Sequence, residues 1–293
     1  MSRAGIVTVA GKPNVGKSTL LNRLIGEKLS IVSPKPQSTR DRVVGIRSEG
    51  DVQMVVLDTP GLLNPTYALQ AAMRGLALQA LHDADVILYL ADAWAGTPPS
   101  LAEAAEIGTM PKAPTITVLN KVDRLTTAER ERLATQCPDA AMLSAVTGEG
   151  VEELLQWVTS HLPESPFLYP ADEISTQSVR FFASELIRET ALEQLEEEVP
   201  YSVACEIEEY REDRTPVYIR AVVYVERESQ KRILIGAKGA RIRDIGRAAR
   251  QKIEDFVGTP VYLDLWIKVL PNWRRKPSEL RRFGFKLPEE HVR

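Results

Sequence analysis

The chain has 293 residues, of which 44% are hydrophobic and 26% charged, and this composition excludes a disordered or fibrous protein and indicates a globular chain of two domains. Its two cysteines, Cys137 and Cys205, exclude a disulfide framework and a cysteine-based zinc site, and no apolar run approaches the roughly 18 residues of a membrane span. The net charge of −3 hides an asymmetry, because residues 230–293 carry 16 Lys and Arg against 7 Asp and Glu, whereas residues 172–229 carry 6 against 15. The basic block favours either a surface that binds polyanions or an ordinary solvated face.

The N-terminal part of the chain alternates short apolar runs with helix-like segments. The runs have the length of buried parallel strands, and they are Ile6–Ala10, Val52–Leu57, Val86–Leu90 and Thr115–Leu119. Ser18–Ile25 and Val151–His161 are predicted helices. This alternation predicts an α/β domain over residues 1–165, with a doubly wound, mostly parallel sheet and helices on both faces. No signal peptide precedes the first run, which suits a cytoplasmic protein.

A glycine-rich loop follows the first predicted strand and opens a helix. Its sequence, Gly11-Lys12-Pro13-Asn14-Val15-Gly16-Lys17-Ser18, matches the phosphate-binding pattern G-x-x-x-x-G-K-[ST], and Thr19 follows it. The glycines let backbone N–H groups turn toward phosphate oxygens, and the helix N-terminus adds its positive dipole end. Lys17 is therefore predicted to reach the β- and γ-phosphates, and Ser18 Oγ to bind Mg²⁺.

The second predicted strand ends at Asp58-Thr59-Pro60-Gly61. An acid at the carboxyl end of a strand, facing the phosphate loop, can hold Mg²⁺ through a water, and the Gly61 N–H can sense the γ-phosphate. Because this tetrapeptide is also typical of an ordinary turn, its value depends on its position relative to the phosphate loop. The next residue is Leu62, which cannot hydrogen-bond an attacking water.

Asn120-Lys121-Val122-Asp123 follows the fourth run and is predicted to select the purine. The Asp123 carboxylate can accept hydrogen bonds from the ring N–H and amino group of guanine, whereas adenine would leave it unpaired at a large cost. Asn120 is predicted to tie this loop to the phosphate loop, and the Lys121 stem to lie over the base. Ser144-Ala145 either contacts the guanine oxygen through its backbone or caps a helix.

A cluster of prolines at Pro163, Pro166 and Pro170 predicts a linker over residues 166–178. The remaining residues, 179–293, form a second predicted domain with the order helix, two strands, two helices and a strand. Its first two strands are predicted at Tyr201–Tyr210 and Pro216–Val225.

The two adjacent helices of this domain are separated by Ile235-Gly236-Ala237-Lys238-Gly239. A G-x-x-G turn lets a nucleic-acid backbone approach closely because no side chain intervenes at its glycines, although a plain helix–helix turn has the same pattern. Positive charge continues along the next helix at Arg241, Arg243 and Arg247. Toward the C-terminus, cations are interleaved with four aromatic residues, Trp266, Trp273, Phe283 and Phe285. Aromatic side chains can stack bases while cations neutralise phosphate. Trp266 lies within a predicted strand and is predicted to pack in the core, whereas the role of the residues after Pro271 stays open.

In these motifs and their order, residues 5–160 resemble the G domain of the translation-factor-related GTPases. The resemblance implies GTP and GDP as ligands with Mg²⁺, and a switch threonine that binds the metal when GTP is present. That role falls on Thr39, with Ser38 as the competing residue. Many G domains have Gln where this chain has Leu62, so slow intrinsic hydrolysis is implied. Asn14 either helps to hold a K⁺ in the place of an arginine finger or only shapes the loop.

The predicted functional residues form four overlapping sets. Hydrolysis is assigned to Lys17, Thr39, Gly61 and Asn14, and metal binding to Ser18, Thr39 and Asp58. The nucleotide-binding set comprises residues 11–19, Asp58, Thr59, Pro60, Gly61, Leu62, Asn120, Lys121, Val122, Asp123, Ser144 and Ala145. The RNA-binding set comprises residues 235–239 with Arg241, Arg243 and Arg247.

A G domain followed by this second domain resembles one family, the Era GTPases, in which the smaller α+β domain is a type II KH domain. The resemblance runs from about Gly5 to Phe285, and Ser38 departs from the Gln-Thr-Thr-Arg of many relatives. It implies binding near the 3′ end of 16S ribosomal RNA, and a role in 16S processing and 30S subunit assembly that GTP hydrolysis controls. It also implies a cytoplasmic protein that can associate peripherally with the membrane, and we expect a monomer.

Two other functions stay open from the sequence. One is a GTPase signalling switch whose C-terminal module binds a protein rather than RNA. The other is a phosphotransferase that uses ATP, against which the motif Asn120–Asp123 argues.

Overall fold

The computed structural model describes residues 1–287, which divide into two compact units. The first comprises Met1–Thr66 and Gln70–Thr176, and the second comprises Tyr67–Leu69 and Gln177–Leu287. Residues 288–293, which the sequence assigns to the second domain, lie outside the described part of the chain.

The N-terminal part of the chain contains six strands and five α-helices within the described residues. The strands are β1 (Arg3–Gly11), β2 (Val43–Glu49), β3 (Val52–Asp58), β4 (Val86–Asp92), β5 (Thr115–Asn120) and β6 (Ala141–Leu143). The helices are α1 (Lys17–Ile25), α2 (Ala68–Asp83), α3 (Leu101–Ala105), α4 (Thr127–Gln136) and α5 (Val151–His161). The sheet order is β2-β3-β1-β4-β5-β6, and only β2 pairs antiparallel, so the prediction of a mostly parallel sheet is confirmed.

Burial on both faces explains why the central strands are continuous apolar runs. Ala10 packs in one cluster with Ala77 of α2 and Leu101 of α3. Val7 and Val9, which point to the opposite face of the same strand, are also buried. Helices therefore cover the sheet on each side, as parallel strands require.

The register of the parallel strands places three of the motifs at one edge of the sheet. Val9 of β1 is paired with Asp58 at the end of β3, and Asp92 of β4 is paired with Asn120 at the end of β5. Loops that leave the carboxyl ends of parallel strands share one edge, where ligands bind in such folds. The phosphate loop follows β1 at this same edge.

The predicted linker is packed along the first unit. Gln53 of β3 accepts hydrogen bonds from the N–H groups of Leu168 and Tyr169, at 2.7 and 3.0 Å. Farther along, the Ile46 N–H donates to the carbonyl oxygen of Ile174 at 2.9 Å. Edge strand β2 and its neighbour thus hold this segment, and the first unit extends to Thr176 instead of ending at residue 165.

The second unit contains a three-stranded sheet and five helices within the described residues. Its helices are α6 (Val179–Gln194), α7 (Val199–Ser202), α8 (Glu228–Ile235), α9 (Ala240–Val257) and α10 (Pro277–Arg282). Its strands are β7 (Ala204–Arg211), β8 (Val217–Val225) and β9 (Val261–Val269), with β8 antiparallel to β7 and parallel to β9. The predicted element order is present, with α7 and α10 added.

The prediction that a strand begins at Tyr201 was wrong by three residues. Tyr201 and Ser202 belong to α7, and β7 begins at Ala204. Pro200 explains the difference, because proline is favoured in the first turn of a helix, where its missing N–H has no intrahelical partner to lose. None of the helices within residues 1–287 is long and apolar enough to cross a bilayer.

Candidate functional site

A cavity of about 510 Å³ lies where the loops after β1, β3 and β5 meet. Its volume is within the range of small-molecule sites, which is about 300–1,000 Å³. The predicted nucleotide-binding residues that line it are Pro13, Asn14, Gly16, Lys17, Ser18, Thr19, Thr39, Gly61, Asn120, Lys121 and Asp123. Three motifs that are distant in the sequence therefore share one cavity.

The phosphate loop depends on glycine at Gly16, which has φ of 99° and caps the N-terminus of α1. A Cβ at this position would also overlap the side-chain nitrogen of Asn120. The turn delivers Lys17 into the cavity, with Nζ donating 2.9 Å to the Lys12 carbonyl oxygen. Burial lowers the pKa of Lys17 to about 8, against the attraction of the Asp58 carboxylate, so a phosphate group would supply the negative charge that this site lacks.

Three oxygen-bearing side chains meet beside the lysine. Asp58 Oδ2 accepts a hydrogen bond from Ser18 Oγ at 2.6 Å and one from Thr39 Oγ1 at 3.2 Å, and the two hydroxyls are 2.9 Å apart. Asp58 is fully buried, and burial raises the pKa of its carboxyl group, against the effects of Lys17 and the hydroxyl donors. Its Oδ1 has no hydrogen-bond partner within residues 1–287.

This donor set fits Mg²⁺. The ion takes hard oxygen ligands and is held in proteins by one or two carboxylates together with waters and phosphates. Ser18, Thr39 and Asp58 supply hydroxyl and carboxylate oxygens within 3.2 Å of one another. Asp58 Oδ1 is a buried acceptor without a hydrogen-bond partner in the described part of the chain. The contacts above are made by Thr39, and they favour it over Ser38 for the switch role.

Asn120 connects the loop after β5, residues 120–123, to the neighbouring loops. Its Nδ2 donates to the Val15 carbonyl oxygen at 2.8 Å, and its Oδ1 accepts from the Ala145 N–H at 2.9 Å. Lys121 Nζ lies 2.6 Å from both the Asn14 carbonyl oxygen and Asp92 Oδ2. These bonds support the loop that carries Asp123, which lies at the rim of the cavity and is exposed.

Several predicted residues lie behind the cavity wall. Thr59 is fully buried and donates 2.9 Å to the Val9 carbonyl oxygen, which locks the end of β3 to β1. Leu62 is also buried and packs in the cluster that contains Ala10 and Leu81. The Leu62 N–H donates 2.9 Å to the Gly11 carbonyl oxygen, so this residue braces the phosphate loop through its backbone. Ser144 Oγ accepts from the Thr147 N–H at 3.1 Å and shapes its own loop.

Other residues at the site have no motif that marks them. Val32, Pro34 and Val146 line the cavity, and Arg23 Nε donates 3.2 Å to the Ala145 carbonyl oxygen from helix α1. Ser30 Oγ donates to Asp58 Oδ2 at 2.6 Å. No sequence pattern predicts these contacts, because each joins residues that are far apart in the chain.

A second candidate site lies in the second unit, at the turn between α8 and α9. Gly236 and Gly239 have φ of 70° and 76°, and a Cβ at Gly236 would lie 2.8 Å from the Cβ of Arg241. Between the glycines, Lys238 is exposed with φ of 48°, and its carbonyl oxygen accepts 3.0 Å from Arg243 Nη1. Arg241 and Arg247 are exposed on the first turns of α9, and Ile235 is half-buried at the end of α8.

The prediction that Trp266 packs in the core was wrong, and the structure answers the open question of whether Trp273 can stack a base. Trp266 is 55% exposed, because the core-facing positions of β9 are the odd-numbered ones from Val261 to Val269. Trp273 is fully buried, with Nε1 donating 2.8 Å to the Ser202 carbonyl oxygen and the Phe283 ring packed edge-on at 5.2 Å. Trp273 therefore stabilises the fold and is not available to stack a base.

Two family models match the chain. The first, described as a 50S ribosome-binding GTPase, matches residues 6–121, and the second, described as a KH domain, matches residues 198–274. The chain is 41% identical to GTPase Era of Carboxydothermus hydrogenoformans over 97% of its own length and 98% of that protein's. It is 40% identical to GTPase Era of Aquifex aeolicus over 97% of its length and 100% of that protein's.

Two solved structures of Era proteins are similar over nearly the whole chain. A variant of Aquifex aeolicus Era bound to GDP and aluminium fluoride superimposes with a TM-score of 0.89, at 40% identity, and covers 97% of this chain and 100% of that one. Era in complex with MgGDPNP and nucleotides 1506–1542 of 16S ribosomal RNA superimposes with a TM-score of 0.90, at 40% identity, and covers 98% and 100%.

Proposed function

The chain belongs to the Era family of GTPases, and from this premise we propose that it binds the 3′ end of 16S ribosomal RNA and assists 30S subunit assembly, with GTP hydrolysis controlling its release. The observation that carries the proposal is the exposed turn Gly236–Gly239 at the start of a basic helix, in a chain that matches an Era–16S complex over 98% of its length. The family model that is described as a 50S ribosome-binding GTPase matches residues 6–121 and so does not include this turn.

The chain is a GTP hydrolase that uses Mg²⁺. We assign Lys17 to the β- and γ-phosphates, and Ser18, Thr39 and Asp58 to the metal, whose charge neutralises the transferred phosphoryl oxygens. We assign the Gly61 N–H to the γ-phosphate. Gly61 lies against Pro13 of the phosphate loop, where a Cβ would be only 2.7 Å from the proline ring, so only glycine fits there. Asp123 selects guanine by accepting its two N–H donors.

The attacking water lacks a side-chain partner at Leu62, because that residue is buried in the core. The missing transition-state charge stabilisation must come from another group. Asn14 lines the cavity, and its Nδ2 donates 2.8 Å to the Pro34 carbonyl oxygen in the segment that also carries Thr39. Its amide oxygen is the natural ligand for a K⁺ beside the phosphates, and we assign that role to it.

RNA binding is assigned to residues 235–239 with Arg241, Arg243 and Arg247. The glycines let a sugar–phosphate backbone lie against the turn, as in KH domains, which clamp about four unpaired nucleotides at a G-x-x-G loop. Arg243 supports the turn through the Lys238 carbonyl oxygen, while Arg241 and Arg247 present their charges to solvent. In this proposal the cations lie beside the RNA backbone, and the adjacent groove recognises the bases.

We further propose that the protein acts as a monomer in the cytoplasm and can associate peripherally with the inner face of the cell membrane, as the family resemblance implies. The two-domain organisation, a G domain joined to a KH domain, supports an RNA chaperone whose switches around Thr39 and Gly61 are ordered by GTP.

A binding assay on the full chain tests this function. Fluorescence anisotropy would compare an RNA equivalent to nucleotides 1506–1542 of 16S ribosomal RNA with a shuffled RNA of the same length and composition, in GDP and in GDPNP. We expect tighter binding of the first RNA, a dependence on the nucleotide and a loss of affinity as salt rises. Equal, weak and salt-independent binding of both RNAs would contradict the proposal and favour the signalling switch with a protein partner.

A further inference from the structure

Asp58 is held by a third hydroxyl that the motifs do not contain. Ser30 Oγ donates to Asp58 Oδ2 at 2.6 Å, as short as the bond from Ser18, and Ser30 is 2% exposed. Hydrogen bonds to an ionised acceptor are roughly twice as strong as those between neutral groups. Ser30 therefore contributes to the position of this carboxylate as much as a predicted metal ligand does.

Ser30 is itself clamped by helix α1. Asn22 Oδ1 accepts hydrogen bonds from the N–H groups of Leu29 and Ser30, at 2.9 and 2.8 Å. Asn22 Nδ2 donates 2.9 Å to the Ser30 carbonyl oxygen. One side chain thus satisfies both backbone groups of Ser30 and fixes it to the same helix that carries Ser18.

Thr39 is anchored differently. It lies in residues 26–42, which form neither helix nor strand between α1 and β2. This segment contains Ser30 as well as Thr39, the switch threonine that the family orders with GTP. Ser30 lies near the start of that segment and is tied to Asn22 of α1 by two hydrogen bonds, and its neighbour Leu29 adds a third. The two hydroxyls on Asp58 therefore differ in what else holds their residues. The Ser30 backbone is bonded to Asn22 of α1, whereas Thr39 Oγ1 contacts Ser18 and Asp58.

We propose that Ser30 is a permanent positioning residue of the magnesium site, held by Asn22, and that it orients Asp58 in both the GDP and the GTP state. Its donation to Oδ2 leaves Oδ1, which has no partner within residues 1–287, as the carboxylate oxygen that would accept a hydrogen bond from a water of the bound ion. Residues that hydrogen-bond a metal-binding carboxylate or histidine are commonly worth about 10- to 100-fold in metal affinity. This inference rests on the magnesium site proposed above.

The test measures how much Mg²⁺ is needed to retain nucleotide. Dissociation of fluorescently labelled GDP and GDPNP from the full chain would be followed across a Mg²⁺ titration and again in EDTA. The Mg²⁺ midpoint is the Mg²⁺ concentration at which nucleotide retention is half-maximal. For Ser30→Ala and Ser30→Cys, which keep most of the side-chain volume, we expect this midpoint to rise about 10- to 100-fold with both nucleotides. Affinity in EDTA stays at the wild-type value, because Ser30 contacts the carboxylate and not the nucleotide.

Three variants separate the possible outcomes. Thr39→Ala should raise the midpoint with GDPNP alone. Ser202→Ala removes an equally buried hydroxyl, one that donates 2.7 Å to the Val199 carbonyl oxygen in the second unit, and should leave both midpoints unchanged. Asp58→Asn should raise both midpoints, and if it raises neither, the proposed magnesium site itself is wrong.

The inference on Ser30 can fail by itself. If Asp58→Asn raises both midpoints while Ser30→Ala and Ser30→Cys leave them at the wild-type value, Ser30 has no positioning role. If the Mg²⁺ midpoint of the Ser30 variants rises with GDPNP alone, Ser30 acts only in the GTP state, and the proposal that it orients Asp58 in both states is wrong. Lower affinity in EDTA together with a lower melting temperature of the metal-free protein, at unchanged midpoints, would show a merely structural serine.

Discussion

The side-chain nitrogen of Asn120 donates a 2.8 Å hydrogen bond to the carbonyl oxygen of Val15 across 105 residues of sequence. The oxygen of the same side chain accepts from the Ala145 N–H at 2.9 Å. Asn120 is 2% exposed, so neither bond can be replaced by water. One amide thus joins the phosphate loop, the base-selecting loop and the loop after β6 into a single frame.

Asn120→Ala should weaken the binding of GDP and GTP alike. Each backbone group left buried without a partner costs about 1–3 kcal/mol, which corresponds to a loss of affinity of at least about tenfold. Titration of labelled GDP into the nucleotide-free protein measures this loss of affinity. Wild-type affinity in this variant would show that the three loops hold their positions without the amide.

Asp123→Asn should change the base preference from guanine toward xanthine. The carboxylate matches the N–H donors of guanine, whereas the amide of Asn offers a donor for the additional carbonyl oxygen of xanthine. Competition of GTP, XTP and ATP against labelled nucleotide measures this change. We expect GTP affinity to fall by about 100-fold or more. Asp139→Asn, at another exposed aspartate outside the cavity, should keep the preference for GTP.

GTP hydrolysis should be faster in potassium than in sodium buffer of equal ionic strength. Removing one preorganised electrostatic group costs about 100- to 1,000-fold in rate, so we expect a ratio of at least about tenfold. Asn14→Gly removes the side-chain amide while glycine tolerates the backbone φ of 64°, and it should bring the ratio to one. Equal rates in the two buffers for the wild-type protein would remove potassium from the mechanism.

The parts of the fold that could be predicted are those whose residues carry a periodic signal. The central strands are continuous apolar runs, and α5 buries Val151, Leu154 and Val158 at helical spacing. In contrast, α4 buries only Leu133 and is polar on every other side, so hydrophobic periodicity cannot reveal it. The short helix α3 contains five residues, fewer than two turns, and leaves no repeat to detect.

The candidate nucleotide site also has parts that could be predicted from the sequence and parts that could not. Each nucleotide motif is continuous in the sequence, so its chemistry can be predicted before its geometry is known. Ser30 is 28 residues from Asp58, and nothing local to either residue shows that they meet. The solvent side of β9 was open to prediction, since strict alternation already placed Trp266 on the face opposite Leu265 and Ile267.

Substitution of the two tryptophans of the second unit should lower the free energy of unfolding by very different amounts. Trp273→Ala leaves a cavity and an unpaired Ser202 carbonyl oxygen, and we expect a loss of about 3–5 kcal/mol in the free energy of unfolding. Trp266→Ala removes a half-exposed ring and should cost less than about 1 kcal/mol. Urea unfolding followed by circular dichroism measures both. A large loss for Trp266→Ala would mean that its ring is buried in solution.

RNA binding should be lost when a carboxylate is placed in the G-x-x-G turn. Gly239 has φ of 76°, and a Cβ there would meet Arg243 Nη1 at 3.5 Å, an ordinary contact, so Gly239→Asp is expected to fold. The carboxylate would face the RNA backbone and lower affinity by at least about tenfold.

Gly258→Asp is the matched control for this substitution. Gly258 has φ of 72° and open space around it at the other end of α9, so it receives the same charge in the same backbone conformation. Lys238→Ala should reduce the slope of log affinity against log salt by about 0.7, the share of one phosphate contact on a single strand. Anisotropy titrations at several salt concentrations measure both effects. If Gly239→Asp and Gly258→Asp bind RNA equally well, the turn does not touch the phosphate backbone, and the basic face of α9 must bind RNA without it.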